Sequence, residues 1–171
     1  MMRIVLKAAC VGAVLVVAAC APQRAYDDGP RGRDRDRDTT SSVTPGRATE
    51  MAIEQAMDRY SSMLATMDAD GLAAMYTPDG VMERQNAPPL RGRDAIHEYL
   101  AKPPANVRVI SNRMTTNSLA YNGPAVVQAG EFEQSARVNG KVINASGRFE
   151  ATWVRGPRGT WYLQHMVTRP R

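Results

Sequence analysis

The chain has 171 residues, with 22 lysines and arginines against 17 acids and a formal charge of +5. That length suits one domain, and so modest a positive excess is not the footprint of a nucleic-acid binder. Two cysteines, Cys10 and Cys20, are too few for a disulfide framework.

The N-terminus opens with Arg3 and Lys7, followed by an uncharged, mostly apolar run from Ala8 to Ala19. A basic start, a short apolar run and a small-residue exit describe a secretory signal peptide. The run is about 12 residues, against roughly 20 needed to span a bilayer as a helix, so a permanent transmembrane anchor is not expected. Its end, Val17-Ala18-Ala19-Cys20, resembles a bacterial lipobox. The resemblance implies that Cys20 is lipidated, here through a thioether, and becomes the first residue of the mature chain. Cys10 would leave with residues 1–19, so Cys20 is then the single remaining thiol.

Residues 20–46 are expected to be the lipidated cysteine and a disordered tether. The stretch "APQRAYDDGPRGRDRDRDTTSSVTPG" has almost no aliphatic side chains, and its arginines and aspartates cancel. It cannot bury enough surface to offset chain entropy. As a flexible coil it spans about 28 Å root-mean-square, enough to hold a domain clear of lipid headgroups.

The domain is expected over residues 47–171. From Glu50 to Met67, apolar residues recur at Ile53, Ala56/Met57, Tyr60, Met63/Leu64 and Met67, the spacing of one buried helix face. A short second helix, capped by Asp68 or Asp70, is predicted to run through Tyr76 and to end at Thr77-Pro78. A third fits "RDAIHEYLAK", stopped by Pro103-Pro104. Strand patterns follow: Val107 to Val109, Met114 to Tyr121, Ala125 to Arg137, Lys141 to Arg155 and Thr160 to Thr168. Asn122-Gly123, Asn139-Gly140 and Gly156 to Gly159 separate them with hairpin chemistry. Helices first, then consecutive antiparallel strands, predict an α+β domain with helices on one face of a curved sheet.

The stretches "DADGLAAMYTPDGVM", "LRGRDAIHEYL" and "GRFEATWVRGPRGTWYLQHMVTRP" resemble the SnoaL-like branch of the nuclear transport factor 2-like superfamily. The resemblance covers about residues 48–170. It implies a cone: a strongly bent antiparallel sheet wrapped around three N-terminal helices, with a pocket at the open end. Members include isomerases, dehydratases, cyclases and dimerisation modules, so the fold alone does not decide the activity. Among them the ketosteroid isomerases need a carboxylate base, a tyrosine and a protonated acid. By that resemblance Tyr60 matches the tyrosine. The base position carries Arg84 with Glu83 beside it, and the acid position carries Phe149 with Glu150 beside it.

A second route to catalysis runs through the last strand. Trp161, Leu163, His165 and Val167 alternate, so His165 should face into the cone as a general base, with Glu131 or Glu150 orienting it. Tyr60, His165, Glu131 and Glu150 are therefore the candidate catalytic residues. Tyr60, Met63, Leu64, Met82 and Trp153 are the candidate ligand contacts, since flexible thioethers suit an adaptable apolar pocket. His97 and His165 lie on separate elements and make no metal motif, and no metal or cofactor is expected.

The sequence thus predicts a lipoprotein of the bacterial envelope, held to the periplasmic face of the outer membrane through Cys20. Its domain would bind a small apolar or amphipathic molecule without catalysis. An isomerase, lyase or hydrolase using Tyr60 and His165 is one alternative, and a dimeric interaction scaffold another. A homodimer is expected, with no nucleic-acid partner.

Overall fold

The computed structural model describes residues 45–171. The leader, Cys20 and most of the tether expected from the sequence lie outside those residues.

Helix α1 spans Arg47–Thr66 and buries Ile53, Ala56, Met57 and Tyr60 along one face, as the three-four spacing requires. It ends in a Schellman motif. Met67 takes the left-handed conformation (φ 56°), Met67 N–H donates to Leu64 O, and Asp68 N–H donates to Met63 O at 3.0 Å. Asp68 then caps α2 (Ala69–Ala74), its carboxylate accepting from Gly71 N–H at 2.9 Å.

The second helix stops before Tyr76, which instead opens strand β1 (Tyr76–Arg84). The reason is competition for carbonyls. Met75 O accepts from Leu163 N–H at 2.8 Å, and Tyr76 O accepts from the Arg93 guanidinium at 3.1 Å. Both interactions draw the chain out of helical geometry and onto the sheet. A two-residue strand β2 (Leu90–Arg91) and helix α3 (Arg93–Leu100) follow. Strands β3 (Val107–Asn122), β4 (Ala125–Val138), β5 (Lys141–Arg155) and β6 (Trp161–Pro170) complete the fold.

The sheet order is β2-β1-β6-β5-β4-β3. Its pairings are antiparallel except β1 with β6, which run parallel. The expected antiparallel sheet is therefore mixed. β1 is laid down before the chain crosses through α3 to the far edge, and the meander β3 to β6 returns to meet it in the same direction. The architecture is the curved sheet with N-terminal helices expected from the sequence.

Two glycines let the sheet bend tightly over aromatic rings. Gly130 pairs in register with Phe149, and Phe132 with Gly147, so each ring lies across a residue with no side chain. Beneath this bend, the buried face of α1 shares one core with Phe149, Ala151, Trp153, Leu163 and Met166. Burying one such large side chain stabilises the fold by about 1.5–3 kcal/mol. Gln128, a polar side chain deep in this core, is satisfied. Trp153 Nε1–H donates to Gln128 Oε1, and Gln128 Nε2–H donates to Thr116 Oγ1, both at 2.8 Å.

Candidate functional site

Between α1, α3 and the concave face of the sheet lies a cavity of about 100 Å³. Its walls are chiefly apolar, and four of its lining residues are methionines: Met67, Met82, Met114 and Met166. Flexible thioethers let such a wall adjust to different shapes. The polar lining residues are Tyr60, Arg84, Tyr99, Asn112, Gln134 and Thr168. Among the described residues, no carboxylate and no histidine lines it.

Tyr60 is held at the inner end. Its hydroxyl oxygen is 3.2 Å from that of Tyr76, and both residues are buried. Burial pushes the Tyr60 hydroxyl up to about 12, because the phenolate cannot be solvated there, and raises Tyr76 for the same reason. The shared hydrogen bond lowers Tyr60 and raises Tyr76. Either hydroxyl can donate in this pair. Asn112 is fixed from α1: its Nδ2–H donates to Ser61 Oγ at 3.0 Å, and Ser61 Oγ–H donates to Asn112 O at 2.9 Å.

Arg84 stands at the other end. Its guanidinium carbon lies 4.0 Å from the centre of the Tyr99 ring, a cation–π geometry. Its Nη2–H donates to Pro88 O at 3.2 Å, while Nε is buried with no hydrogen-bond partner. Arg84, Thr168 and Pro170 also border a groove on the outer surface, so the mouth of the cavity lies at this end.

Of the candidate ligand contacts, Tyr60, Leu64 and Met82 line the cavity. Met63 instead packs against the core from its margin, and Trp153 is wholly buried with its indole committed to Gln128.

The candidate general base is elsewhere. His165 lies on the opposite face of the sheet, with Nε2 3.1 Å from Glu83 Oε1, near Asp79, Arg91 and Thr152. The cause is a β-bulge. Trp153 pairs with Leu163, but Thr152 pairs with His165, so Gln164 is an extra residue in β6. Beyond it the alternation inverts: Met166 and Thr168 face the cavity, and His165 turns outward. The expected glutamates face outward as well. Glu131 is held by the Arg171 guanidinium, and Glu150 is exposed. The three residues meant to work with Tyr60 are thus separated from it by the sheet.

Sequence reasoning passed over Arg84, Asn112, Gln134 and Tyr76 as site residues. Asn112 falls between the strand patterns read at Val107–Val109 and Met114–Tyr121, where a bulge at Ile110 interrupts the alternation. Tyr76 was hidden by its assignment to a helix end.

The sequence profile of the SnoaL-like domain matches residues 57–159, more than half of the chain. The chain belongs to the SnoaL-like family. Solved structures support the same fold. A ketosteroid isomerase-like protein from Erwinia carotovora atroseptica superposes with a TM-score of 0.65 at 18% identity, covering 73% of this chain and 98% of that one. Aln2 from a Streptomyces species gives 0.64 at 15% identity, over 74% and 94% of the two chains. ActVI-ORFA from Streptomyces coelicolor gives 0.63 at 16% identity, over 72% and 97%. No curated protein sequence matches the chain. This SnoaL-like domain keeps the cone but fills it differently from the isomerase pattern read in the sequence. Of the residues read at the two acid positions by that resemblance, Arg84 lines the cavity and Phe149 is buried in the core, while Glu83 lies beside His165 and Glu150 is exposed.

Proposed function

We propose that this SnoaL-like domain binds a small, largely apolar molecule in its cavity and does not process it. The observation that carries this reading is the composition of the wall. Among the described residues it offers thioether and aromatic surfaces, neutral donors and one guanidinium, with no side chain able to shuttle a proton near neutral pH. A Tyr60 hydroxyl raised to about 12 stays protonated and does not serve as a base. An apolar pocket with a few placed polar groups is the usual form of a small-molecule site. The volume sets the scale, since an apolar cavity of about 150 Å³ accommodates benzene. At about 100 Å³ this cavity is smaller, so a short branched chain fits inside, and a ring or a larger ligand projects partly through the mouth.

The chain would carry out this binding as a lipoprotein on the periplasmic face of the outer membrane. Support comes from the lipobox-like Val17-Ala18-Ala19-Cys20 and from Ala21 after it. Two or three acyl chains, at about 0.8 kcal/mol per buried methylene, give stable anchoring.

Native mass spectrometry of the full chain, extracted in detergent from its host, tests both parts. A retained small molecule and the mass of acyl chains on Cys20 are the expected results, and the same spectra report the subunit count. An empty cavity that also takes up no small apolar probe would overturn the binding reading. An unmodified Cys20, or a Cys20→Ser chain that matures and localises unchanged, would overturn the anchor.

A further inference from the structure

We propose that Arg84 is an anion-binding residue and that the ligand class is a small monocarboxylic acid. The carboxylate would sit at the mouth and the apolar body inside. The inference rests on the cavity reading above and adds the chemistry of the head group.

Arg84 is a cation without a counter-charge among the described residues. Their ion pairs are His97 with Asp70, Lys102 with Glu98, His165 with Glu83 and Arg171 with Glu131, and Arg84 belongs to none. Its neighbour in sequence, Glu83, projects to the other face and lies 3.1 Å from His165. Asp79 and Glu83 lie on that outer side with His165, Glu83 also edges the outer groove together with Arg84 and Arg169, and the cavity wall itself contributes no acid. A half-buried guanidinium with one donor on a carbonyl and Nε sealed from water without a partner is costly to maintain. An incoming carboxylate removes that cost, because its two oxygens match the planar fork of donors. The Tyr99 ring, 4.0 Å from the guanidinium carbon, holds the fork in place from one side.

The position of Arg84 selects the ligand as much as its charge does. It borders both the inner cavity and the outer groove, so it lies where the dry interior meets water. A charged head placed there keeps part of its hydration, while the methionine-rich interior takes the apolar body. A dianion would bring a second charge with no partner in the wall. A neutral apolar molecule would leave Arg84 unpaired. A monocarboxylate with a single ring or a short branched chain satisfies both ends.

The test uses benzoate, cyclohexanecarboxylate and isovalerate as probes, with benzamide as a neutral shape match to benzoate. Binding to the full chain is measured by isothermal titration calorimetry. Benzoate should bind about tenfold or more tightly than benzamide, the range of a hydrogen bond to a charged group. Arg84→Gln should bring the two within about twofold of one another, and Arg84→Lys should keep part of the preference. The comparison of acid with amide on the unaltered chain needs no variant, so it stands even if Arg84→Gln unfolds. Equal binding of acid and amide overturns the role of Arg84 and leaves the cavity reading intact. A preference for benzoate that survives in folded Arg84→Gln also overturns it. Failure of every probe to bind overturns both readings.

Discussion

Tyr60 and Tyr76 meet edge to face, with ring centres 6.4 Å apart, planes at 65° and hydroxyl oxygens 3.2 Å from one another. One comes from the first helix and the other from the first strand, so a single contact ties the helical layer to the sheet at the inner end of the cavity. Replacing either by phenylalanine removes one hydrogen bond and leaves its partner short, at about 1 kcal/mol. A double-mutant cycle in urea denaturation should show that the two losses do not add. The pair also gives the fold an alkaline limit. Each hydroxyl holds its proton more tightly in the folded than in the unfolded state, so this stabilisation is complete below the ordinary tyrosine value of about 10. It is lost as pH rises from there through the folded-state value of about 12 for Tyr60. Ultraviolet titration should find that two of the six tyrosines resist ionisation until the domain unfolds.

His165→Ala tests the outward orientation of the imidazole. Its partner Glu83 is half-exposed, and such pairs contribute about 0.2–1 kcal/mol. Probe binding in the cavity should change by less than about twofold, within measurement scatter for a group beyond the sheet. A large loss of affinity in the folded variant would mean that His165 reaches the cavity after all.

Gly130→Ala and Gly147→Ala should each destabilise the domain by about 1–3 kcal/mol, the range for overpacking a filled core. A methyl group at Gly130 would meet the Phe149 ring at 2.6 Å and press on Thr115 O. At Gly147 it would meet the Phe132 ring at 2.7 Å and press on Arg169 O. Chemical denaturation of the two variants checks this, and unchanged midpoints would show that the sheet relaxes without cost.

Gln128→Leu should cost about 1–3 kcal/mol, because it leaves the Trp153 indole N–H buried without an acceptor. Adding Trp153→Phe removes that orphaned donor, so the double variant should lose less than the sum of the two single changes. Additivity in the denaturation midpoints would argue that the network is only space-filling.

The long elements were legible in the sequence because their signals are local. The three-four spacing through Ile53, Met57 and Tyr60 gave α1, and Asn139-Gly140, with φ values of 51° and 81°, gave the tight β4–β5 turn. The parallel pairing of β1 with β6 was not legible, since nothing in Tyr76–Arg84 states which strand it will meet. Tyr60 and Leu64 were found as cavity residues because helix phase placed them on the buried face, and Met82 because a thioether suits such a wall. His165 was misplaced because period-two reading assumes an unbroken ladder, and the bulge at Gln164 shifts the phase by one. Asn112 went unread because it falls between the strand patterns at Val107–Val109 and Met114–Tyr121, where the bulge at Ile110 breaks the alternation. Arg84 was read only as the wrong residue for an isomerase, because the charge of a wall appears once all its members are assembled.

Deleting Gln164 would leave Leu163 and His165 paired with the adjacent residues Trp153 and Thr152 in an unbroken ladder, with the imidazole still outside and Met166 and Thr168 still inside. The length of β6 can therefore change by one residue at this point while the cavity wall keeps its chemistry.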